Sequence, residues 1–304
     1  MIITLALSAS LDVTYEVDEL NVGDITRPFA VTRVAGGKAL NVARAASALG
    51  AEVSTLAALG GATGEWVAHM LAEDGVTATV VPLRRVTRTC IAVVERAGSA
   101  TSTDLYEPAT ELDADEWDAY AAATRGAVAT ASTSGPMPWV ALSGSVPPGV
   151  PLDELGSLLA ELRRNGCRIV VDGSGDGLRA TAPAAELIKV NRREASELLD
   201  TELETATDAC HRLRAQYGCD AVVTDGVAGS AALLGDIQTS VPASTRRGRF
   251  PAGSGDSFLG GLLAAFERGD SAADALGAAA SAGERNALVA GQGRLAAEQG
   301  RIAD

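Results

Sequence analysis

The stretch Ala252-Gly253-Ser254-Gly255-Asp256-Ser257-Phe258 joins a glycine-rich turn to the start of an apolar helix. Two glycines on either side of a small residue let the backbone turn and present consecutive N–H groups. The apolar run from Phe258 to Phe266 is typical of a buried helix, whose N-terminal end carries partial positive charge. The stretch therefore predicts a turn that binds an anion at a helix start.

Asp256 stands at the mouth of this turn, where its carboxylate would repel the anion that the backbone attracts. A carboxylate there can accept the proton of a hydroxyl group that attacks a bound phosphoryl group. The alternative is that the side chain of Asp256 caps the helix. Taken alone, the stretch leaves both interpretations open.

Apolar strands alternate with helical stretches through most of the chain. This alternation predicts an α/β fold, with a mostly parallel central sheet flanked by helices. The predicted strands are Ile2–Leu7, Val53–Leu59, Trp139–Leu142, Arg168–Asp172, Leu187–Val190, Ala221–Thr224 and Ala231–Leu234. The predicted helices are Ala39–Leu49, Glu65–Glu73, Ala114–Ala127, Leu152–Arg164, Arg192–Leu199, Thr205–Tyr217, Asp256–Arg268 and an alanine-rich pair at the C-terminal end.

Two segments break this alternation and predict a small β-sheet lid. Their strands follow one another without helices, which favours an antiparallel sheet: Val13–Val17, Ile25–Val34, Thr89–Arg96 and Ala100–Tyr106. Because so few strands are not stable alone, the lid should lean on the main domain, on a second subunit, or on both. The expected division is a main domain of residues 1–10, 36–82 and 107–304, and a lid of residues 11–35 and 83–106.

The composition limits the classes of partner. With 304 residues, 47% of them hydrophobic, the chain can bury one large core. A formal net charge of -14 argues against nucleic acid or an anionic membrane surface as partner. No basic segment precedes the first apolar residues, and the four cysteines form no CxxC pair. We therefore expect a cytoplasmic protein with reduced thiols and without a zinc site.

Lysine is rare, and its two occurrences, Lys38 and Lys189, both stand at element boundaries. Lys38 lies in Gly36-Gly37-Lys38-Ala39-Leu40-Asn41, where exposed backbone, a cation and an amide meet at a helix start. Such a start can bind a phosphate through Lys38 and polyol hydroxyls through Asn41, or it can be an ordinary helix end with a solvated lysine. Arg88, in the lid, is a candidate for a second cation or a plain surface residue.

Lys189 precedes Asn191-Arg192-Arg193-Glu194, which sets an amide and a carboxylate one helical turn apart. Oxygen ligands of this kind suit Mg²⁺, usually with water between them. The same spacing is that of a capping box, and the motif taken alone favours a capping box over a magnesium site. Further along, Thr224 to Gly229 ends a strand in a glycine-rich turn, which suits backbone contact to a nucleotide but also suits any strand-to-strand turn.

Other glycine patterns do not fit known nucleotide motifs. In Gly173-Ser174-Gly175-Asp176-Gly177 the third glycine falls one position early for a dinucleotide-binding fingerprint. No GxxxxGK[ST] pattern occurs. A nicotinamide-dependent oxidoreductase and a Walker-type NTPase are therefore disfavoured.

Taken together, these stretches resemble the PfkB (ribokinase-like) family of carbohydrate kinases, most closely its 1-phosphofructokinase and tagatose-6-phosphate kinase branch. The order and spacing of the matching stretches carry the resemblance. They are Leu11 to Tyr15, Gly36 to Ala43, Thr87 to Thr89, Leu142 to Gly149, Lys189 to Glu194 and Gly253 to Asp256.

The resemblance implies a role for each candidate residue. Asp256 would be the catalytic base, with Gly253, Ser254 and Gly255 completing an anion hole. The sugar would lie against Asp12, Gly37 and Asn41, and its existing phosphate against Lys38 and Arg88. Mg²⁺ would be held by Asn191 and Glu194 through water. The nucleotide would meet Lys189, Asn191, Glu194, Thr224, Gly226, Gly229 and Asn286, the last of them near the adenine.

The implied activity is transfer of a phosphoryl group from ATP to a sugar phosphate, with fructose 1-phosphate as the leading acceptor. Tagatose 6-phosphate and fructose 6-phosphate are alternatives, because Thr103 to Pro108 matches the 1-phosphofructokinase pattern only loosely. A catalytically idle sugar-phosphate sensor is an alternative of another class. The resemblance also implies a homodimer formed through the lid.

Overall fold

The computed structural model describes residues 1–96, 102–133 and 135–297. Within these residues nine strands form one large sheet. They are β1 (Ile2–Ala6), β4 (Val53–Leu59), β5 (Thr77–Pro82), β8 (Trp139–Ser143), β9 (Arg168–Asp172), β10 (Leu187–Asn191), β11 (Asp220–Thr224), β12 (Ser230–Leu234) and β13 (Ile237–Val241). The helices are α1 (Lys38–Ala48), α2 (Gly61–Glu73), α3 (Ala114–Ser132), α4 (Leu152–Arg164), α5 (Gly175–Thr181), α6 (Arg192–Leu199), α7 (Ala206–Tyr217), α8 (Ser254–Arg268) and α9 (Ala272–Ala287).

The large sheet has the order β13-β12-β11-β10-β9-β8-β1-β4-β5. Its strands pair in parallel except at one edge, where β12 and β13 pair antiparallel. From β1 the chain first extends the sheet through β4 and β5, and later extends it on the other side through β8. Such a reversal of strand order leaves a crevice at the carboxyl ends of the strands, where α/β proteins bind ligands.

Helices cover both faces of this sheet, as the alternation of strands and helices predicts. Ile3 and Leu5 of β1 belong to an apolar core that includes α3, α4 and α7, whereas Ile2 belongs to a core that includes α1, α8 and α9. In α4 the buried leucines recur at helical spacing: Leu155, Leu158, Leu159 and Leu162. Burying each leucine side chain contributes about 2 kcal/mol. The α/β class and the mostly parallel sheet are confirmed.

The small sheet comprises β2 (Ser10–Val17), β3 (Ala30–Gly36), β6 (Arg88–Glu95) and β7 (Ser102–Tyr106), in the order β3-β2-β6-β7. The expectation of a purely antiparallel sheet is wrong, because β2 and β6 pair in parallel. Between them the chain passes through α1, β4, α2 and β5, and so long a connection lets it return in the same direction. Of the predicted fourth strand, Ala100 and Thr101 lie outside the described residues.

Some elements differ from the prediction. The strands β5 and β13 and the short helix α5 were not expected from the sequence, and β3 begins at Ala30 instead of Ile25. Of the predicted C-terminal helix pair, α9 is present, while residues 288–297 contain no helix. Among the described residues, no helix has the length and apolar character to cross a membrane.

Candidate active site

A cavity of about 480 Å³ lies at the carboxyl ends of the parallel strands and has the small sheet as one wall. Most of the candidate residues line it, although they come from distant parts of the sequence. They are Asp12, Gly37, Lys38, Asn41, Arg88, Lys189, Asn191, Glu194, Thr224, Gly253, Gly255 and Asp256. Several lining residues were not singled out from the sequence, among them Ser8, Ser10, Cys90, Asp104, Tyr106, Ser145, Ser174 and Gln292.

Asp256 lies in the first turn of α8 and is buried at the inner end of this cavity. Its Oδ2 accepts a hydrogen bond of 2.9 Å from Nδ2 of Asn41. The start of α8 has no side-chain cap, so the capping interpretation of Asp256 is wrong. Burial raises the pKa of Asp256 from 3.8 to about 6, against the opposing charge of Lys38. A carboxyl group with such a pKa can take up a proton near neutral pH.

The turn before α8 has the geometry that its glycines predict. Gly253 is the N-cap and has φ 81°, a left-handed conformation that favours glycine. A Cβ on Gly253 would lie 2.8 Å from Cβ of Gln292. The N–H of Ser254 donates to the carbonyl of Pro251, so it faces away from the predicted anion hole. The first-turn N–H groups that remain for an anion are those of Gly255 and Asp256.

Both lysines lie close to Asp172, a carboxylate that was not predicted to be a site residue. Asp172 ends β9, and its Oδ1 lies 3.5 Å from Nζ of Lys189 and 3.9 Å from Nζ of Lys38. Its Oδ2 accepts a hydrogen bond of 2.9 Å from Ser143. Burial disfavours its ionised form, but the two ammonium groups and the Ser143 hydroxyl hold the pKa of Asp172 below its ordinary value. The floor of the cavity is therefore a fixed charge cluster.

Lys38 belongs to the Asp256 side of the cavity. Its Nζ lies 3.5 Å from Oε1 of Glu194, and the charge of Asp172, followed by those of Asp256 and Glu194, raises the pKa of Lys38 despite burial. Arg88 lies elsewhere, donating to the carbonyls of Ser8 and Glu107 at 3.2 Å each. Its Nε is buried without a hydrogen-bond partner among the described residues. The two cations that the sequence assigns to one phosphate thus stand in different surroundings.

Asp12 lies near Arg88, in the wall formed by the small sheet. Its Oδ1 accepts a hydrogen bond of 2.6 Å from Ser10, and its Oδ2 accepts one of 3.4 Å from the N–H of Gly37. Burial raises the pKa of Asp12, while the hydrogen bonds from Ser10 and Gly37 and the charges of Arg44 and Arg88 oppose the shift. Gly37 has φ 94°, and a Cβ there would lie 2.7 Å from the carbonyl oxygen of Ser8. Only glycine fits this approach of α1 to the cavity.

Asn191 and Glu194 form the capping box of α6, as one of the two interpretations expects. Oδ1 of Asn191 accepts from the N–H of Glu194, and Oε2 of Glu194 accepts from the N–H of Asn191, both at 2.9 Å. The other carboxylate oxygen of Glu194 faces Lys38. Among the described residues no group of three or more His, Cys, Asp or Glu side chains could hold a metal ion. Oε1 of Glu194, which the capping box does not use, fits a Mg²⁺ ion that keeps most of its water shell.

A second cavity, of about 250 Å³, adjoins the first and shares Thr224 and Gly255 with it. The candidate residues Gly226, Gly229 and Ser254 line it. The rest of its wall comes from the start of β12, the segment after β13, α8 and α9: Ser230, Pro242, Ala243, Ser244, Phe258, Ala280, Gly283 and Glu284. The start of α8 thus separates two connected spaces.

Asn286, which the resemblance sets near the adenine, lines neither of the two cavities. Its side chain is completely buried. Its Nδ2 donates to the carbonyls of Phe250 and Ala252, and its Oδ1 accepts from Ser257 Oγ and the N–H of Gly293. Asn286 therefore fixes the turn before α8 from behind.

Residues 5–294 match the sequence model of the pfkB family carbohydrate kinases, and the chain therefore belongs to this family. The fold is accordingly ribokinase-like, and the protein is a phosphotransferase that acts on a carbohydrate.

Solved structures of phosphofructokinase-2 from Escherichia coli are similar over nearly the whole chain. The structure in complex with potassium is 28% identical with a TM-score of 0.85, covering 97% of this chain and 94% of that chain. The structure in complex with substrates and products is 27% identical with a TM-score of 0.86, covering 97% and 95%. A protein from Thermotoga maritima, described as a possible 1-phosphofructokinase, is 20% identical with a TM-score of 0.80, covering 95% and 93%, and supports the fold alone.

Proposed function

We propose that this protein transfers the γ-phosphoryl group of ATP to the 6-hydroxyl of fructose 1-phosphate, with Asp256 as the general base. The observation that carries the proposal is the position of Asp256, which combines burial, the hydrogen bond from Asn41 and a pKa of about 6 at a helix start with free N–H groups. Asp256 accepts the proton of the attacking hydroxyl. General-base catalysis of this kind contributes about 10²- to 10⁴-fold.

The surroundings of Asp256 suit the negative charge that develops during phosphoryl transfer. The N–H groups of Gly255 and Asp256 and the end of the α8 dipole face the transferring group. Lys38 and Lys189 add two positive charges that Asp172 holds in place. Because phosphoryl transfer depends on positioning and electrostatic stabilisation, this arrangement supplies what the protein itself must contribute.

The second cavity supports a nucleotide site. Thr224, Gly226 and Gly229 border it with backbone and small side chains, and Phe258 and Ala280 add apolar surface for a base. The triphosphate would extend from there past Gly255 towards Asp256. When bound, Mg²⁺ neutralises charge on the triphosphate, and Asn191 and Glu194 would hold it through water.

The acceptor would lie between Arg88 and Asp256. Arg88, with its buried and unpartnered Nε, binds the phosphate already on the sugar, while Asp12, Gly37 and Asn41 bind hydroxyl groups. Lys38 stands beside Asp256, Asp172 and Glu194, so we assign it to the transferring phosphoryl group and not to the distal phosphate. A molecule with a phosphate at one end and a primary hydroxyl at the other fits this division.

The test is an ADP-release assay across a panel of acceptors: fructose 1-phosphate, fructose 6-phosphate, tagatose 6-phosphate, fructose, ribose and a nucleoside. We expect the highest kcat/KM with fructose 1-phosphate and a loss of at least tenfold with fructose. An unphosphorylated sugar as the best acceptor would contradict the role of Arg88. No ADP release with any acceptor, together with tight binding of one sugar phosphate, would favour the idle sensor.

Fructose 6-phosphate is the second candidate, because of the 27–28% identity to phosphofructokinase-2 over 97% of this chain. The Escherichia coli enzyme has been crystallised with fructose 6-phosphate. If kcat/KM is higher for fructose 6-phosphate than for fructose 1-phosphate, fructose 6-phosphate becomes the assigned acceptor, and the role of Asp256 is unchanged.

The assembly and the place of action are also part of the proposal. We propose that residues 11–35 and 83–106 act as a lid and that two lids meet in a homodimer, since the lid exposes the apolar side chains of Phe29, Val31 and Leu105. Sedimentation equilibrium should give twice the mass of one chain, and a monomer at micromolar concentration would contradict it. Because the proposed substrates are ATP and a phosphorylated sugar, we propose that the enzyme acts in the cytoplasm.

A further inference from the structure

Arg44 is a buried arginine that lines neither cavity, yet it contacts three segments that surround the acceptor. It lies in α1, and only 5% of its side chain is exposed. Its Nη1 donates to Oδ1 of Asn41 at 3.3 Å and to the carbonyl of Gln292 at 2.8 Å, and its Nη2 donates to the carbonyl of Ala35. Its Nε donates to Oδ2 of Asp74 at 2.6 Å.

The contact with Asn41 decides which way the amide of that residue points. A guanidinium can only donate hydrogen bonds, so the atom of Asn41 that faces Arg44 must be the oxygen. The nitrogen then faces Asp256 and donates to its Oδ2. With the amide reversed, its oxygen would face the carboxylate of Asp256 and its nitrogen would face a cation, and both contacts would be repulsive.

We propose that Arg44 is a positioning residue of the phosphoryl transfer, acting through Asn41 to keep a hydrogen-bond donor on the catalytic base. The proposal rests on the proposed role of Asp256. Asp74 neutralises the guanidinium, so Arg44 can remain charged in the interior.

The other two donors of Arg44 fix the guanidinium itself. Ala35 is close to the end of the lid strand β3, and Gln292 lines the cavity and lies against Gly253. The hydrogen bonds to these two carbonyls hold the guanidinium in place beside the amide of Asn41. A lysine has a single nitrogen on a flexible stem and cannot serve these acceptors together.

The test compares Arg44→Lys with Asn41→Ala and with the double variant. Arg44→Lys keeps a positive charge for Asp74 but loses the fixed contact with Asn41. We expect kcat to fall about 10- to 100-fold, with KM for ATP within about twofold of the wild-type value. In the Asn41→Ala background, Arg44→Lys should lower kcat by less than about threefold further, because its route to Asp256 is already removed.

The matched control is Asp74→Asn, which removes the ion pair of Arg44 and leaves its donors to Asn41, Ala35 and Gln292. We expect Asp74→Asn to lower Tm while kcat stays within about twofold. If Arg44→Lys does not yield folded protein, the double variant Arg44→Gln with Asp74→Asn removes both charges together and avoids an unpaired one. It should show the same loss of kcat.

Two results would overturn the proposal: a kcat of Arg44→Lys within twofold of wild type, or losses that multiply fully in the double variant with Asn41→Ala. These outcomes differ from a failure of the proposed function. If the proposed function is wrong, the wild-type protein shows no kinase activity, or the Asp256→Asn variant keeps the activity of the wild type.

Discussion

The starts of α6 and α8 both border the large cavity, and both carry an acidic residue three positions after the N-cap. In α6 the N-cap Asn191 and Glu194 satisfy each other's backbone N–H groups. In α8 the N-cap is Gly253, which has no side chain to offer, and Asp256 turns away to Asn41. One helix end is closed by its own side chains, and the other is open, because no side chain caps it.

In these two helices the residue at the N-cap determines whether the acidic residue of the first turn takes part in capping. A side-chain cap stabilises a helix by about 1 kcal/mol, and α8 lacks this contribution. Glycine at position 253 also gives the backbone its left-handed conformation, and Asn286 holds the turn from behind. The open helix end is thus supported by other parts of the chain instead of by its own cap.

Among the substitutions at the open end, Asp256→Asn should have the largest effect on activity. We expect kcat to fall by about 10²- to 10⁴-fold, because the proton of the attacking hydroxyl loses its acceptor. ATP binding should remain within about threefold of wild type, measured by calorimetry. Turnover within tenfold of wild type would contradict the role of Asp256.

The same substitution should stabilise the protein at pH 7. The pKa of Asp256 in the folded state, about 6, lies above its ordinary value of 3.8, so between these values the folded state binds more protons than the unfolded state. Stability therefore falls as pH rises through that window, and at pH 7 the ionised carboxylate costs up to about 3 kcal/mol. Asp256→Asn should raise Tm at pH 7, and this gain should shrink at pH 5. An equal gain at both pH values would contradict the shift.

The activity of the wild-type protein should depend on the protonation state of Asp256. As pH falls through about 6, Asp256 takes up a proton and loses its function as a base. We expect kcat/KM to fall about tenfold per pH unit below that point. A profile that is flat down to pH 5, at saturating metal and with folding verified by circular dichroism, would show that another group accepts the proton.

Gly253→Ala tests the shape of the open end with a smaller expected effect. The new Cβ would meet Cβ of Gln292 at 2.8 Å in a backbone conformation with φ 81°, so we expect kcat to fall about tenfold and stability to fall by about 1–3 kcal/mol. Gly269→Ala is the matched control, because Gly269 ends the same helix with φ 80° and nothing lies within 4 Å of its Cβ position. It should lose stability by about 1 kcal/mol and keep kcat.

The closed end should give the smallest effect on stability. Glu194→Gln keeps an oxygen for the N–H of Asn191, so the capping box remains. It removes the charge that faces Lys38, so the free energy of unfolding should fall by no more than about 1 kcal/mol. The lost charge should raise the Mg²⁺ concentration needed for half-maximal activity about tenfold. Glu116→Gln, in the capping box of α3, is the control and should leave the Mg²⁺ requirement unchanged. Equal Mg²⁺ curves for both variants would remove Glu194 from metal binding.

The sequence was sufficient to predict the alternation of strands and helices and the glycine-rich turn before α8, because both depend on local patterns. It did not identify Asp172, since the glycine-rich run after β9 was compared only with dinucleotide motifs. The meeting of both lysines at that carboxylate depends on the order of strands β8, β9 and β10, which no local pattern encodes. The contacts of Asn286 with Phe250, Ala252 and Ser257 could not be predicted for the same reason, because these residues lie more than 25 residues earlier in the chain.

The convergence of Lys38 and Lys189 on Asp172 has a consequence for chemical modification. Since the sequence contains no other lysine, every acetyl group, sugar adduct or acyl label found on a lysine of this chain marks the large cavity. Lys38 is the more accessible of the two, with 39% of its side chain exposed against 5% for Lys189. The degree of labelling, read by mass spectrometry, would report occupancy of the cavity without an engineered probe.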